Sequence, residues 1–186
     1  MNISHASFDD VIRSRRTTMV VDPDRIVDRH TIDELCELAT WAPNHKRTWP
    51  WRFASLTGDA RLRLGHVVAE AMAAHGDDPA KVDKARTKYA RTPNVLVIGS
   101  SVGDTPERTA ENRDAVAAAA QTLMLAATAR GIATYWGSCP KGCHEAVARL
   151  AGFDDGTHIA GIFYLGWLRD SPVAPERPPA GVLHID

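Results

Sequence analysis

Three arginines, Arg13, Arg15 and Arg16, stand within four residues and run directly into Thr17 and Thr18. Two guanidinium groups and a hydroxyl in succession can grip a phosphate through charge-assisted, bidentate hydrogen bonds. The same run also reads as a solvated cationic helix end, favoured there by the macrodipole. A second cluster is Trp41-Ala42-Pro43-Asn44-His45-Lys46-Arg47-Thr48-Trp49-Pro50-Trp51, which holds three of the chain's five tryptophans. Its two prolines make a rigid, non-helical turn. The tryptophan and proline faces either line a slot for a planar ring or staple a structural loop to the core. The third is Gly131-Ile132-Ala133-Thr134-Tyr135-Trp136-Gly137-Ser138. Gly137 permits close backbone approach, and N–H groups exposed beside it can bond the edge of a ring. The alternative is an ordinary helix–strand connection.

Other reactive residue types form no comparable group. Cys139-x-x-x-Cys143-His144 lacks the C-x-x-C spacing of zinc and redox sites, and no second ligand pair stands elsewhere. No metal is expected, and Cys143 and His144 read as the opening of a helix. His5, His30, His66, His75, His158 and His184 are scattered, which favours surface or packing roles. No G-x-S-x-G, Walker A, G-x-G-x-x-G or H-E-x-x-H motif is present. No catalytic side chain is therefore assigned.

Alternating helix and strand signals must position these clusters. A first helix is expected from the Ser7–Asp10 capping pattern to about Arg15. Thr31-Ile32-Asp33-Glu34 reads as a capping box for a helix ending near Pro43. Further helices are expected from Gly58-Asp59, from Asp78-Pro79, from Thr105-Pro106 to Gly131, and over Cys143–Leu150. Strands are expected at Arg52–Leu56, Asn94–Gly99, Ile132–Trp136 and Ile159–Leu165. Val95–Ile98 is continuously apolar, as in a strand covered on both faces. The small residues of Ile159–Gly166 suggest close packing against a helix. The segment Ser171–Pro179 carries four prolines and reads as an extended arm. The pattern is α+β: a sheet of four or five strands, a buried Ala-rich helix and a C-terminal arm over 170–186, all in one domain over 1–186.

Length and composition agree with that pattern and exclude other classes. The chain has 186 residues, a net charge of −1, 44% apolar and 24% charged residues. A disordered tail, a collagen, a disulfide mini-protein and a histone-like binder are excluded. The balanced charge argues against a nucleic-acid partner held on a general basic surface. The most apolar stretch, Ala115–Ala129, contains Gln121, Thr122 and Thr128 and is shorter than the roughly 20 apolar residues a membrane span needs. No membrane partner is expected. Three cysteines and no visible secretory signal make the cytoplasm the default compartment.

Taken in order, Arg15-Arg16-Thr17, Ala42-Pro43-Asn44-His45-Lys46…Pro50-Trp51 and Gly131-Ile132-Ala133-Thr134-Tyr135-Trp136 resemble the nitroreductase family. The likeness is greatest to its short, minimal members, whose turn reads A-P-D-H-K-x-x-Q-P-W. It extends to Asp83-Lys84-Ala85-Arg86 and the Phe163-Tyr164-Leu165-Gly166 strand. The resemblance implies a nitroreductase-like fold with a mostly antiparallel sheet flanked by helices. It also implies an intertwined homodimer with FMN at the subunit interface. Arg15, Arg16 and Thr17 would hold the phosphate and the polar ring edge. Pro43 and His45 would contact the flavin across the interface, with Trp41 beside them. Trp136, Gly137 and Ser138 would line the ring, and Arg177 would close on the phosphate.

The implied activity is hydride transfer from NADH or NADPH, through FMN, to a small electron-poor acceptor such as a nitroaromatic or quinone, by a ping-pong route. Alternatives on the same resemblance are a flavin-storing protein with little turnover, metabolite dehydrogenation and flavin fragmentation. Thr17 replaces the usual serine, and Trp41 stands where the minimal members carry arginine. Trp49 replaces glutamine, and Arg47 stands where larger members often have asparagine.

Overall fold

A computed structural model describes residues 8–170 and 172–185. Helix α1 spans Phe8–Ser14; Ser7 of the expected capping pattern lies outside the described residues. Helix α2 spans Arg29–Ala39 and starts earlier than expected, because Asp28 rather than Thr31 is its N-cap. The Asp28 carboxylate accepts from the Thr31 amide at 2.9 Å and the Thr31 hydroxyl at 2.8 Å. The two carboxylate oxygens of Asp28 satisfy both donors at once, as an N-cap side chain does. Strand β1 is Trp51–Leu56, α3 is Asp59–His75, α4 is Pro79–Lys88 and β2 is Asn94–Ser100. Helix α5 is Pro106–Ala129, β3 is Ile132–Gly137, α6 is His144–Leu150 and β4 is His158–Trp167.

The four strands form one antiparallel sheet in the order β1-β2-β4-β3. Strand β2 is buried along its whole length. Leu96 and Ile98 face a core built with α2 and α5, while Val95 and Val97 face one built with α3, α4 and α6. This two-sided cover explains the unbroken apolar run, since each such side chain contributes about 1.5–3 kcal/mol on burial. In α5 the buried stripe includes Ala115, Val116, Ala119, Ala120, Leu123 and Ala127. Alanines there let the helix lie close to the sheet.

The segment after α1 adds a partial fifth strand beyond β3. Thr17 bridges Thr134 in parallel, and the Thr18 amide donates to the Thr134 carbonyl at 3.2 Å. Further on, Val21 bridges Leu168. A Cβ at Gly166 would come within 2.8 Å of the Val21 side chain, so glycine is what admits this segment. The small residues of β4 thus make room for a strand neighbour at Gly166 and for an indole at Gly161, rather than for a helix as expected. Residues 172–185 have no regular structure, and 173–185 are exposed, in keeping with an arm. Among the described residues, no helix is long and apolar enough to cross a membrane.

Candidate active site

The arginine cluster divides in two. Arg13 is taken up by Asp9 in a surface ion pair at 3.2 Å. Arg15 and Arg16 are half-buried, and no ion pair among the described residues engages them. The Arg16 guanidinium folds back onto the Arg13 and Arg15 carbonyls, at 2.5 and 2.8 Å, while its buried Nε has no partner. Burial lowers the pKa of Arg15, and the charges of Arg177 and Arg16 lower it further. The charge of Arg177, on the C-terminal arm, thus bears on Arg15 near the start of the chain. No ion pair among the described residues engages any of these three cations, so their mutual repulsion is not offset by a salt bridge.

The end of β3 lies on the same sheet edge, since Thr17 faces Thr134 only two residues before Trp136. The Trp136 indole donates from Nε1 to the Ala160 carbonyl at 3.0 Å, and its ring centre lies 5.0 Å from that of Phe163. Its side chain keeps 36% exposure, and Ser138 is exposed beside it. A Cβ at Gly137 would approach the Ile162 carbonyl to 3.0 Å, so glycine relieves crowding there.

The tryptophan-rich turn is strained. Lys46, Arg47 and Trp49 have φ of 60°, 53° and 49°, a region costly for residues with a Cβ. A polar chain rooted in α5 holds the turn. Asn44 accepts from the Trp49 amide at 2.9 Å and donates to the Thr48 hydroxyl at 3.0 Å. That hydroxyl donates to Asn112 at 2.6 Å, and the buried Asn112 donates to the Ser101 carbonyl at 3.1 Å. His45 meets Glu111 at 2.9 Å, and Arg108 meets Glu111 at 2.6 Å. Trp51 is buried and is the staple; Trp41 and Trp49 remain 76% and 57% exposed. Pro43 and His45 are exposed as well. The staple alternative therefore holds for Trp51 and not for Trp41 or Trp49.

The expected residues fall into two groups that one chain does not unite. Arg15, Arg16, Thr17, Trp136, Gly137, Ser138 and Arg177 belong to the β3 edge. Trp41, Pro43 and His45 belong to the turn that enters β1, at the opposite edge. Three strand spacings separate those edges, roughly 14 Å. Trp136 also lies on the row of Phe163, Leu96 and Ser55, four residues beyond Trp51, which adds roughly 13 Å along the strand.

The α5 residues Arg108, Glu111 and Asn112 carry no local signal in the sequence, since they anchor the turn through contacts more than sixty residues distant. His144 and His158, fourteen positions apart (158 − 144), likewise carry no signal of their pairing. Their rings stack at 4.8 Å, and His144 Nδ1 accepts from the Ile159 amide at 3.2 Å. Burial and Arg113 lower the pKa of both. Burial pushes the thiols of Cys36 and Cys139 up to about 12, so both stay protonated at neutral pH. Cys143 is the buried N-cap of α6.

Fold and site together define an α+β protein with unpaired arginines gathered at the outer edge of its sheet. A model of the family described as "Nitroreductase family" matches residues 12–167, and the chain belongs to that family. YfhC of Bacillus subtilis, provisionally named an NAD(P)H nitroreductase, is 26% identical over 178 residues, covering 94% of this chain and 91% of its own. A solved nitroreductase-like family protein from Bacillus cereus is 26% identical, with a TM-score of 0.78 and coverage of 95% and 93%. The fold is shared with the FMN-dependent nitroreductase NfnB of Mycobacterium smegmatis, solved with NADPH (TM-score 0.71, 21% identity, coverage 91% and 93%). It is equally shared with an iodotyrosine deiodinase bound to FMN and 3-iodo-L-tyrosine (TM-score 0.74, 17% identity, coverage 97% and 100%). Solved structures with such different ligands share this fold, so the fold alone does not choose the ligand.

Proposed function

We propose that the protein is an FMN-dependent oxidoreductase of the nitroreductase type, working as a homodimer with two shared sites. The observation that carries this reading is that the charges of Arg16 and Arg177 act on half-buried Arg15 while no ion pair among the described residues engages any of the three. The orphaned, buried Nε of Arg16 fits the same need for an anion. These three residues would hold the FMN phosphate, with the Thr17 hydroxyl beside them. Trp136, Gly137 and Ser138 would offer an aromatic wall and backbone donors to the ring. Bound there, FMN supplies hydride transfer from NADH or NADPH to an electron-poor acceptor such as a nitroaromatic or quinone.

The chain's own work is to bind, orient and shield. Backbone N–H groups near Gly137 would stabilise negative charge on the ring. The turn's contribution comes from the partner copy, because the two edges of one sheet lie too far apart to form one wall. Trp41, Pro43 and His45, held by the Asn112 and Glu111 anchors, would close the ring from the other subunit. The exposed indoles of Trp41 and Trp49 and the exposed arm suit burial in such an interface.

The visible spectrum of the purified protein tests this reading, followed by addition of NADPH or NADH without oxygen. Bound flavin that bleaches promptly supports the enzyme. A yellow protein that neither nicotinamide reduces points to flavin storage, and a colourless protein that refuses added FMN overturns both.

A further inference from the structure

Helices α3 and α4 meet at Gly65, where a Cβ would lie 2.7 Å from the Arg86 carbonyl carbon. Next to this tight contact they open into a cavity of about 310 Å³. Four cations line it: Lys81, Lys84, Lys88 and Arg91. The three lysines follow helical spacing of three and four residues, so they share one face of α4. No carboxylate lines the cavity, and no ion pair among the described residues engages the four. The nearby acids are used elsewhere: Asp83 pairs with Arg86, Asp77 with His75, and Asp78 caps α4. Lys88 is half-buried, and burial together with Arg91 lowers its pKa. Holding such a charge without a counterion costs free energy that an anion would recover.

The rest of the lining is apolar or aromatic. Val68, Met72 and Ala85 contribute from the helices, and Pro140 from the loop that follows Trp136–Ser138. Tyr89 is 1% exposed, and its hydroxyl has no hydrogen-bond partner. None of the residues assigned to the flavin lines this cavity.

We propose that this cavity is a second anion site, separate from the Arg15–Arg16–Arg177 cluster, that takes an organic phosphate with an apolar body. The phosphate lies among Lys81, Lys84, Lys88 and Arg91, and the body packs on Val68, Met72 and Pro140. One source of this chemistry is the phosphate-bearing end of the nicotinamide dinucleotide, which rests on the function proposed above and on the position of Pro140 beside the flavin segment. The other is a separate phosphorylated metabolite, which does not depend on that reading.

Calorimetric titration of the purified protein with ADP and with pyrophosphate tests the site. The expected result is saturable binding that weakens about tenfold in Lys84→Ala and in Lys81→Ala, as for loss of one charge-assisted hydrogen bond. Both side chains are exposed, so both variants should fold. The flavin content of the variants should equal that of the parent. If ADP also competes with NADPH, and Lys84→Ala raises the KM for NADPH without changing kcat, the source is the dinucleotide. Binding without competition identifies a separate phosphate ligand, as does ADP binding to a protein that takes no flavin. Absence of ADP and pyrophosphate binding, or equal binding in parent and variants, overturns the proposal. Loss of flavin from the lysine variants also overturns it, because the cavity would then belong to the flavin site.

Discussion

The indole of Trp136 occupies the space that a side chain at Gly161 would take: a Cβ there would lie 2.6 Å from indole Cδ1. Glycine on β4 thereby sets the position of the Trp136 indole on β3. Gly161→Ala should displace the indole and destabilise the protein by about 1–3 kcal/mol, as overpacking does. Urea denaturation and tryptophan emission measure the two effects. Parental stability with parental emission would show that the contact is not confining.

The arginine cluster predicts opposite effects with and without cofactor. Arg15→Ala, Arg16→Ala and Arg177→Ala should each weaken FMN binding by roughly 1.5–3 kcal/mol, the range for hydrogen bonds to charged groups. Without flavin, Arg15→Ala should not lower the melting temperature, since it removes a cation held against two others. Fluorescence titration and thermal melts check the pair of outcomes. Parental flavin affinity in all three variants would sink the phosphate assignment.

The proposed sharing of the site between subunits predicts complementation. Arg15→Ala and His45→Ala place their defects at opposite sheet edges. In a mixed dimer one site carries both defects and the other carries neither. Unfolding and refolding the two variants together should therefore restore roughly a quarter of the sites, by random pairing in a two-fold dimer. Flavin affinity and reduction rate count the restored sites. No recovery on mixing, or a flavin-loaded monomer in sedimentation, would contradict the shared site.

The histidine pair predicts acid sensitivity. His144 and His158 have pKa values below the ordinary histidine value, because burial and Arg113 oppose their charge. The unfolded chain then binds more protons than the folded one as pH falls through about 6.5, so stability drops in that window. Protonation at His144 Nδ1 also removes the acceptor of the Ile159 amide. Glu145, Arg149, Asp154 and Asp155 share the cavity and contribute their own charges. Melting temperature should fall between pH 7.5 and 5, and the His144→Gln/His158→Gln variant should flatten that slope. An equal slope in parent and double variant would remove the pair as its cause.

Local order was legible in the chain because it depends on near neighbours. The Val95–Ile98 run, Pro79 and Pro106 at helix starts, and Gly131 after α5 each specify an element through steric and hydrogen-bonding rules acting over a few residues. The capping of α2 was misplaced because Asp28 and Thr31 both suit the role, and only the folded geometry selects between them. The order of the three motifs also sufficed for the family, since the match spans residues 12–167.

Near-neighbour rules in the chain thus specify its elements, its family and the clusters of arginine and aromatic residues. Which of those residues meet depends on the packed fold. The charge of Arg177 bears on Arg15, Asn112 and Glu111 hold the strained turn, His144 stacks on His158, and four cations line one cavity that no carboxylate lines. The structure also places the turn and the arginine cluster at opposite edges of the sheet. Sequence spacing carries no record of such distances, because strand order and helix packing are set by burial of apolar faces summed over the whole chain.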